Sequence, residues 1–303
     1  MSEAALSGDS APAARRALFH HPVQAFKRPI PPVPVHAFAD ECARALAADA
    51  PTGLIALDLS ATLDLPWPAT TPTLLARYLV IRAGESFTHA FEASGAVCYV
   101  IRGEGETRCD GERIGWRERD AMALPGGCES EHRAAAHTVM LIVTDEPLAA
   151  YEQSRFAPEA DVWRIRPTLY LREVVQEELA AMRAEDDLSQ AAGKAIVLMT
   201  EAMQHRKCVT RNLSVGFNTL EPGDDQRPHA HSAAALTLGI EAEGVYSMVD
   251  GQQVDWAHGL LAVTPPGAVH SHHNRGPRTM FSFVVQDSPL HAQLRTSHFS
   301  YAD

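Results

Sequence analysis

The chain has 303 residues, 46% of them apolar, and a formal net charge of -12 spread without long runs, enough to bury two cores and a poor match for nucleic acid or an anionic membrane surface. No apolar run reaches the roughly 18 residues of a membrane span. Five cysteines without a CxxC pair, and an N-terminus without a charged-then-apolar signal pattern, point to a reduced, cytoplasmic setting.

In chain order, residues 1–35 form an N-terminal arm. Ser, Ala, Gly and Pro at its start predict disorder, and Pro29 to Pro34 predicts an extended stretch. Alternating apolar residues in Leu75 to Arg82, Ala96 to Gly103 and Ala121 to Pro125 predict strands of a first barrel over 36–150. In a linker over 151–192, Leu171 to Ala184 predicts a packing helix. Its inner face would carry Val174, Val175, Leu179 and Met182, with Glu173, Glu177 and Glu178 outward. A second barrel over 193–303 opens with Ile196-Val197-Leu198-Met199, continues through Leu213 to Leu220 and runs to Val285. The class is all-β, two antiparallel barrels with a few flanking helices.

The two-barrel expectation rests on an internal repeat. Asp110-Gly111, Trp116, Pro125 and Gly127 recur at the same spacings as Asp250-Gly251, Trp256, Pro265 and Gly267. Upstream, Gly84 and Gly105 match Gly223 and Gly244 once a one-residue length change is placed in the following hairpin.

Only the second copy carries a metal pattern. His229 and His231 stand one residue apart, so on a strand both face the same way, and His270 after Pro265-Pro266-Gly267 can close a facial set of three. Registering the repeat sets Ala90, Glu92 and Ser130 against these histidines, with His89 turned to the opposite face. The first barrel then lacks metal ligands and serves structure and subunit contacts. Neutral imidazoles suit Fe(II), Mn(II), Ni(II), Cu(II) and Zn(II) alike.

The run from His229 to Tyr246, with His231, Leu236, Glu241 and Gly244 between, resembles the first motif of the gentisate 1,2-dioxygenase family, bicupins that include salicylate and 1-hydroxy-2-naphthoate dioxygenases. His270-Ser271-His272-His273-Asn274 resembles the second motif. Many cupins add a glutamate ligand four or five residues after the paired histidines; here Ala235 and Leu236 stand there. The resemblance implies Fe(II) on three histidines, with room for a bidentate aromatic hydroxy-carboxylic acid and O2 together, and ring cleavage. In several relatives the N-terminal barrel holds the principal metal, an arrangement this chain departs from. His272 matches a functional histidine that hydrogen-bonds bound oxygen or moves a proton. Asn218 stands where relatives carry a substrate-facing glutamine, and Thr237 where they carry an arginine that grips the substrate carboxylate. Either another cation reaches in, with Lys194 and Arg211 as candidates, or the substrate is not a simple salicylate. A non-oxidative bicupin using Mn or Zn (isomerase, hydrolase or decarboxylase) and a non-catalytic small-molecule binder are the alternatives. A homodimer or homotetramer fits the extended arm and a metal-free barrel.

Overall fold

The strands Leu75–Ile81, Gly95–Arg102, Ala121–Pro125 and Thr138–Thr144 are buried along nearly their whole length, which a β-strand achieves only when both of its faces are covered. The covering shows in the alternation. Tyr78, Val80, Val97, Tyr99 and Leu141 point one way and join Phe217, Leu236, Leu238, Val263, Phe283 and Val285 of the second half in one large core. Their neighbours Leu79, Ile81, Cys98, Val100, Met122, Met140 and Ile142 point the other way and fill the first barrel.

The computed structural model describes residues 11–21, 23, 27, 29–155, 162–184 and 193–302. Residues 1–10 of the expected disordered start and 185–192 of the linker lie outside these. Within the N-terminal unit Met1–Pro31, Ala11–Ala14 makes a helical turn and Pro29–Pro31 carries no regular structure. The rest forms two jelly rolls, each a pair of facing antiparallel sheets. The first pairs a six-stranded sheet with the four strands Ser86–Ala90, Glu104–Cys109, Glu112–Arg117 and Glu129–Ala134. In the second, a six-stranded sheet built on Ser214–Leu220, Ala235–Glu241, Leu261–Thr264 and Met280–Gln286 faces five strands that include His229–His231 and His270–Asn274.

Two short segments cross the expected boundaries. His36–Ala37, expected in the first barrel, pairs with Ala262 and Val263 of the second, and Thr168–Tyr170, expected in the linker, extends the first barrel's sheet beside Ala121–Ala123. The linker helix spans Arg172–Arg183 and buries Val175 and Leu179, one turn apart. Val174 is turned out, because only positions three or four apart share a helix face.

Side-chain bonds tie the halves together at repeated positions. The Asp145 carboxylate accepts from Asn212 at 2.6 Å, and the Asp287 carboxylate accepts from the Thr73 hydroxyl at 2.6 Å. Both aspartates precede a helix with Pro at its start. Tyr78 donates its hydroxyl to the Gly259 carbonyl at 2.6 Å and accepts from the Leu261 N–H at 3.2 Å.

Strand register corrects the repeat. His89 opposes Ser130 as His229 opposes His270, so the first-barrel counterparts of the three histidines are His89, Phe91 and Ser130, not Ala90, Glu92 and Ser130. The second copy has an added residue just before His229, and the first copy has one between Phe91 and Ala96, so the register shifts over the ligand strand and then returns. Phe87 opposes His132 while Gln226 bonds to His272, leaving Thr88 alone on one side against Arg227-Pro228 on the other. Pro228 has no N–H for the ladder, so the strand absorbs a residue there. His89 consequently points inward, its Nε2 2.9 Å from Nε2 of His132 and its ring stacked on Phe91 at 4.1 Å.

Matching registers also show why one barrel is full and the other hollow. Leu79, Cys98, Leu124 and Met140 of the first correspond to Asn218, Thr237, Thr264 and Ser282 of the second. Arg77 corresponds to Gly216; it lies over Phe91 and pairs with Glu146 at 2.6 Å, closing the first barrel.

Removing the Tyr78 hydroxyl (Tyr78→Phe) strands the Gly259 carbonyl and Leu261 N–H in the seam and should cost about 1–3 kcal/mol of stability by urea denaturation. Burial, then the neighbouring Arg77, lowers His89 to about 4; burial, then His89, lowers His132 to about 3. The unfolded chain protonates both near 6.5, so their stabilising contribution is complete above that pH and is lost as pH falls toward 4. His89→Phe should make the loss of stability between pH 7 and 4.5 shallower by roughly 1–3 kcal/mol in the same assay.

Candidate metal centre

One antiparallel pairing brings three imidazoles together. His229 and His270 oppose each other on adjacent strands, and His231 follows two residues on along the same face. The turn before His270 is closed by Gly267, whose φ of 76° is left-handed and whose N–H donates to the His231 carbonyl at 2.8 Å. One ring nitrogen from each histidine lies within 4.8 Å of the others, the sole such cluster of three or more His, Cys, Asp or Glu among the described residues.

Hydrogen bonds decide which nitrogen each ring offers. Nδ1 of His229 meets the Arg227 carbonyl at 3.0 Å, Nδ1 of His231 the Ala233 carbonyl at 2.8 Å, and Nδ1 of His270 the Ala268 carbonyl at 3.0 Å. A carbonyl only accepts, so each Nδ1 carries the proton and each Nε2 keeps its lone pair for a shared cation. Burial is the main cause that holds all three below the ordinary imidazole range, His270 at about 4, so the rings are neutral near pH 7. Three neutral nitrogen donors of one tautomer fit a divalent transition ion. Ala235 and Leu236 offer it nothing, and Leu236 faces the seam between the barrels.

The histidines open into a cavity of about 560 Å³. Asn218, Thr237 and His272 line it with them. Lys194 does not; it lines an adjoining cavity of about 240 Å³ that shares Asn218, Gln226 and His272 with the first. Arg211, expected as a substrate-binding cation, lines neither. It sits in the turn Thr210–Leu213, which is held to the first barrel through Asn212 and Asp145 and through Thr210 and Ser94. A position three residues before a strand does not specify where its side chain projects. Among the described residues lining the metal cavity there is no lysine or arginine.

Several residues were not singled out from the sequence. Gln226 buries its side-chain oxygen without a hydrogen-bond partner among the described residues, at the wall between the two cavities. Phe299, from the strand paired beside His229–His231, stacks on the His229 ring at 5.3 Å. Arg227 lies over the Tyr301 ring at 4.0 Å and lines the adjoining cavity. Ser247 stands opposite His272 in the ladder and bonds to it. Only strand pairing reveals these contacts, apart from Trp256, which the repeat marks.

Residues 216–285 match the cupin domain family. The chain is 27% identical over 131 residues to gentisate 1,2 dioxygenase 1 of Aquipseudomonas alcaligenes, a match covering 43% of this chain and 38% of that enzyme's length. It is 24% identical over 253 residues to the 5-aminosalicylate 1,2-dioxygenase of a Comamonas species, covering 73% and 67%. In structure it resembles salicylate 1,2-dioxygenase from Pseudoaminobacter salicylatoxidans, solved in its adduct with gentisate, with a TM-score of 0.73 at 16% identity over 92% of this chain and 88% of that one; this is a likeness of fold. With two jelly rolls and a cupin-domain match at residues 216–285, across the histidine strands, the chain has a two-barrel cupin-like architecture and resembles the gentisate and salicylate 1,2-dioxygenases.

Proposed function

We propose that this chain is an Fe(II)-dependent dioxygenase that opens the ring of an aromatic hydroxy-carboxylic acid, with its active centre in the second barrel and its place in the cytoplasm. The observation that carries the reading is the convergence of three Nε2 lone pairs in a hollow, polar barrel without a carboxylate ligand. The relatives named above, two of them ring-cleaving enzymes for gentisate and 5-aminosalicylate, support it. All five cysteines are unpaired, which suits a reducing compartment.

Iron held by His229, His231 and His270 would supply the electron transfer that activates O2 toward the ring. The remaining residues bind and orient. Ile196, Val197 and Val284 give the cavity an apolar wall against which a ring packs and from which water is excluded. The Asn218 amide and Thr237 hydroxyl meet ring substituents by neutral hydrogen bonds, and His272 presents an imidazole nitrogen to the substrate's oxygens. Lys194 and Arg227 line the adjoining cavity across the Asn218–Gln226 wall, so a substrate carboxylate is held from that side.

Oxygen uptake by anaerobically iron-loaded protein tests the reading, with gentisate, salicylate, 5-aminosalicylate and 1-hydroxy-2-naphthoate as substrates. Uptake with at least one, and a ring-opened product, is expected. Full iron occupancy with no uptake on any, alongside turnover of a non-oxidative kind with Mn or Zn, would overturn it. His229→Ala and His270→Ala should each lower bound iron about tenfold or more by metal analysis. Thr237→Arg, which restores a bidentate cation to the cavity floor, should lower KM for salicylates about tenfold.

A further inference from the structure

His272 lines the second barrel's cavity beside the three converging imidazoles and is wired differently from them. Nδ1 of His229, His231 and His270 meets a carbonyl, whereas Nδ1 of His272 meets the Ser247 hydroxyl at 2.8 Å. That hydroxyl already accepts from Trp256 Nε1 at 2.8 Å, and the Trp256 and His272 rings meet edge to face at 5.1 Å. An indole nitrogen can only donate. Ser247 also has a proton to give, and among the described residues the Nδ1 lone pair of His272 is the one acceptor it meets. The neutral ring then carries its proton on Nε2, the opposite tautomer to the three metal-facing rings.

The first barrel repeats the arrangement with different side chains around it. Trp116 Nε1 donates to the Thr107 hydroxyl at 2.8 Å, and Thr107 meets Nδ1 of His132 at 2.7 Å. There Nε2 of His132 lies 2.9 Å from Nε2 of His89, the residue that corresponds by register to His229. The two halves of the chain thus place a tryptophan, a hydroxyl and a histidine in the same order. In the full barrel the far nitrogen of that histidine meets another ring; in the hollow one the histidine ring lines the cavity.

We propose that Trp256 and Ser247 are positioning residues that fix His272 as an Nε2–H hydrogen-bond donor aimed into the metal cavity, where it donates to an anionic oxygen of the substrate. The tautomer stands on the hydrogen-bond geometry alone; the substrate oxygen as acceptor rests on the ring-cleavage reading. His272 therefore donates and does not act as a general base at Nε2.

Two-bond 1H–15N correlation of histidine-labelled protein, metal-free and Zn(II)-loaded, reads the tautomer directly, with His272→Gln identifying the signal. The expected pattern for His272 is protonated Nε2 and unprotonated Nδ1. Ser247→Ala should convert it to a mixture of tautomers, leave bound iron unchanged and lower kcat about tenfold or more. Ser247→Thr, the hydroxyl used in the first barrel, should restore both the pattern and kcat to within about threefold. A protonated Nδ1 in the native protein, or a Ser247→Ala variant that keeps both the native pattern and native kcat, would overturn the proposal. The spectra decide it even if no aromatic acid is turned over. Oxygen uptake by native protein showing a protonated Nδ1 would remove the positioning role and leave the dioxygenase reading intact.

Discussion

The apolar seam between the two six-stranded sheets is the constraint from which the rest follows. A barrel lined by histidines, Asn218, Thr237, Thr264 and Ser282 has little apolar core of its own; its separate buried cluster is the small group Ala242, Val245, Trp256 and Met280. Its strands are held by their outer faces instead. Phe217, Leu236, Val263, Phe283 and Val285 bury against Tyr78, Tyr99, Val97 and Leu141 of the first barrel. The side-chain-filled copy is thus half of the core on which a hollow, polar copy folds.

Division of labour after duplication then has a simple physical form. The fold needs the outward residues of both copies to stay large and apolar, while the inward residues of either copy are free to change. In the first copy they are Leu79, Met122, Leu124 and Met140, with Arg77 and Glu146 paired beside them. In the second they are small or polar and leave space for a ligand. His89 stands in the first copy where His229 stands in the second, with Phe91 and Ser130 in place of His231 and His270.

Within the second barrel, hydrogen-bond chemistry sorts otherwise identical side chains. A backbone carbonyl and a serine hydroxyl impose opposite tautomers on imidazoles a few ångströms apart, so three offer lone pairs and one offers a proton. Thr237 lines a cavity that has no lysine or arginine among its described lining residues, and Lys194 and Arg227 line the adjoining cavity beyond Gln226.

Residue spacing alone determined the two-barrel class, the strands at 75–81, 121–125 and 214–220, the helix after residue 171, and the grouping of His229, His231 and His270. Each depends on a period, two for a strand or 3.6 for a helix, that is written in consecutive residues. The matching of the two copies and the fate of individual cations were decided by tertiary structure. The residue added at Arg227-Pro228 leaves the glycine and tryptophan spacings looking consistent while shifting the ligand strand by one, and one residue in a strand exchanges its faces. Spacing likewise says nothing of which strand lies beside which. That Ser247 stands opposite His272, that Phe299 stacks on His229 and that Asn212, next to Arg211, is bonded to the first barrel all arise from pairings between distant segments, which exist only once the sheets have closed.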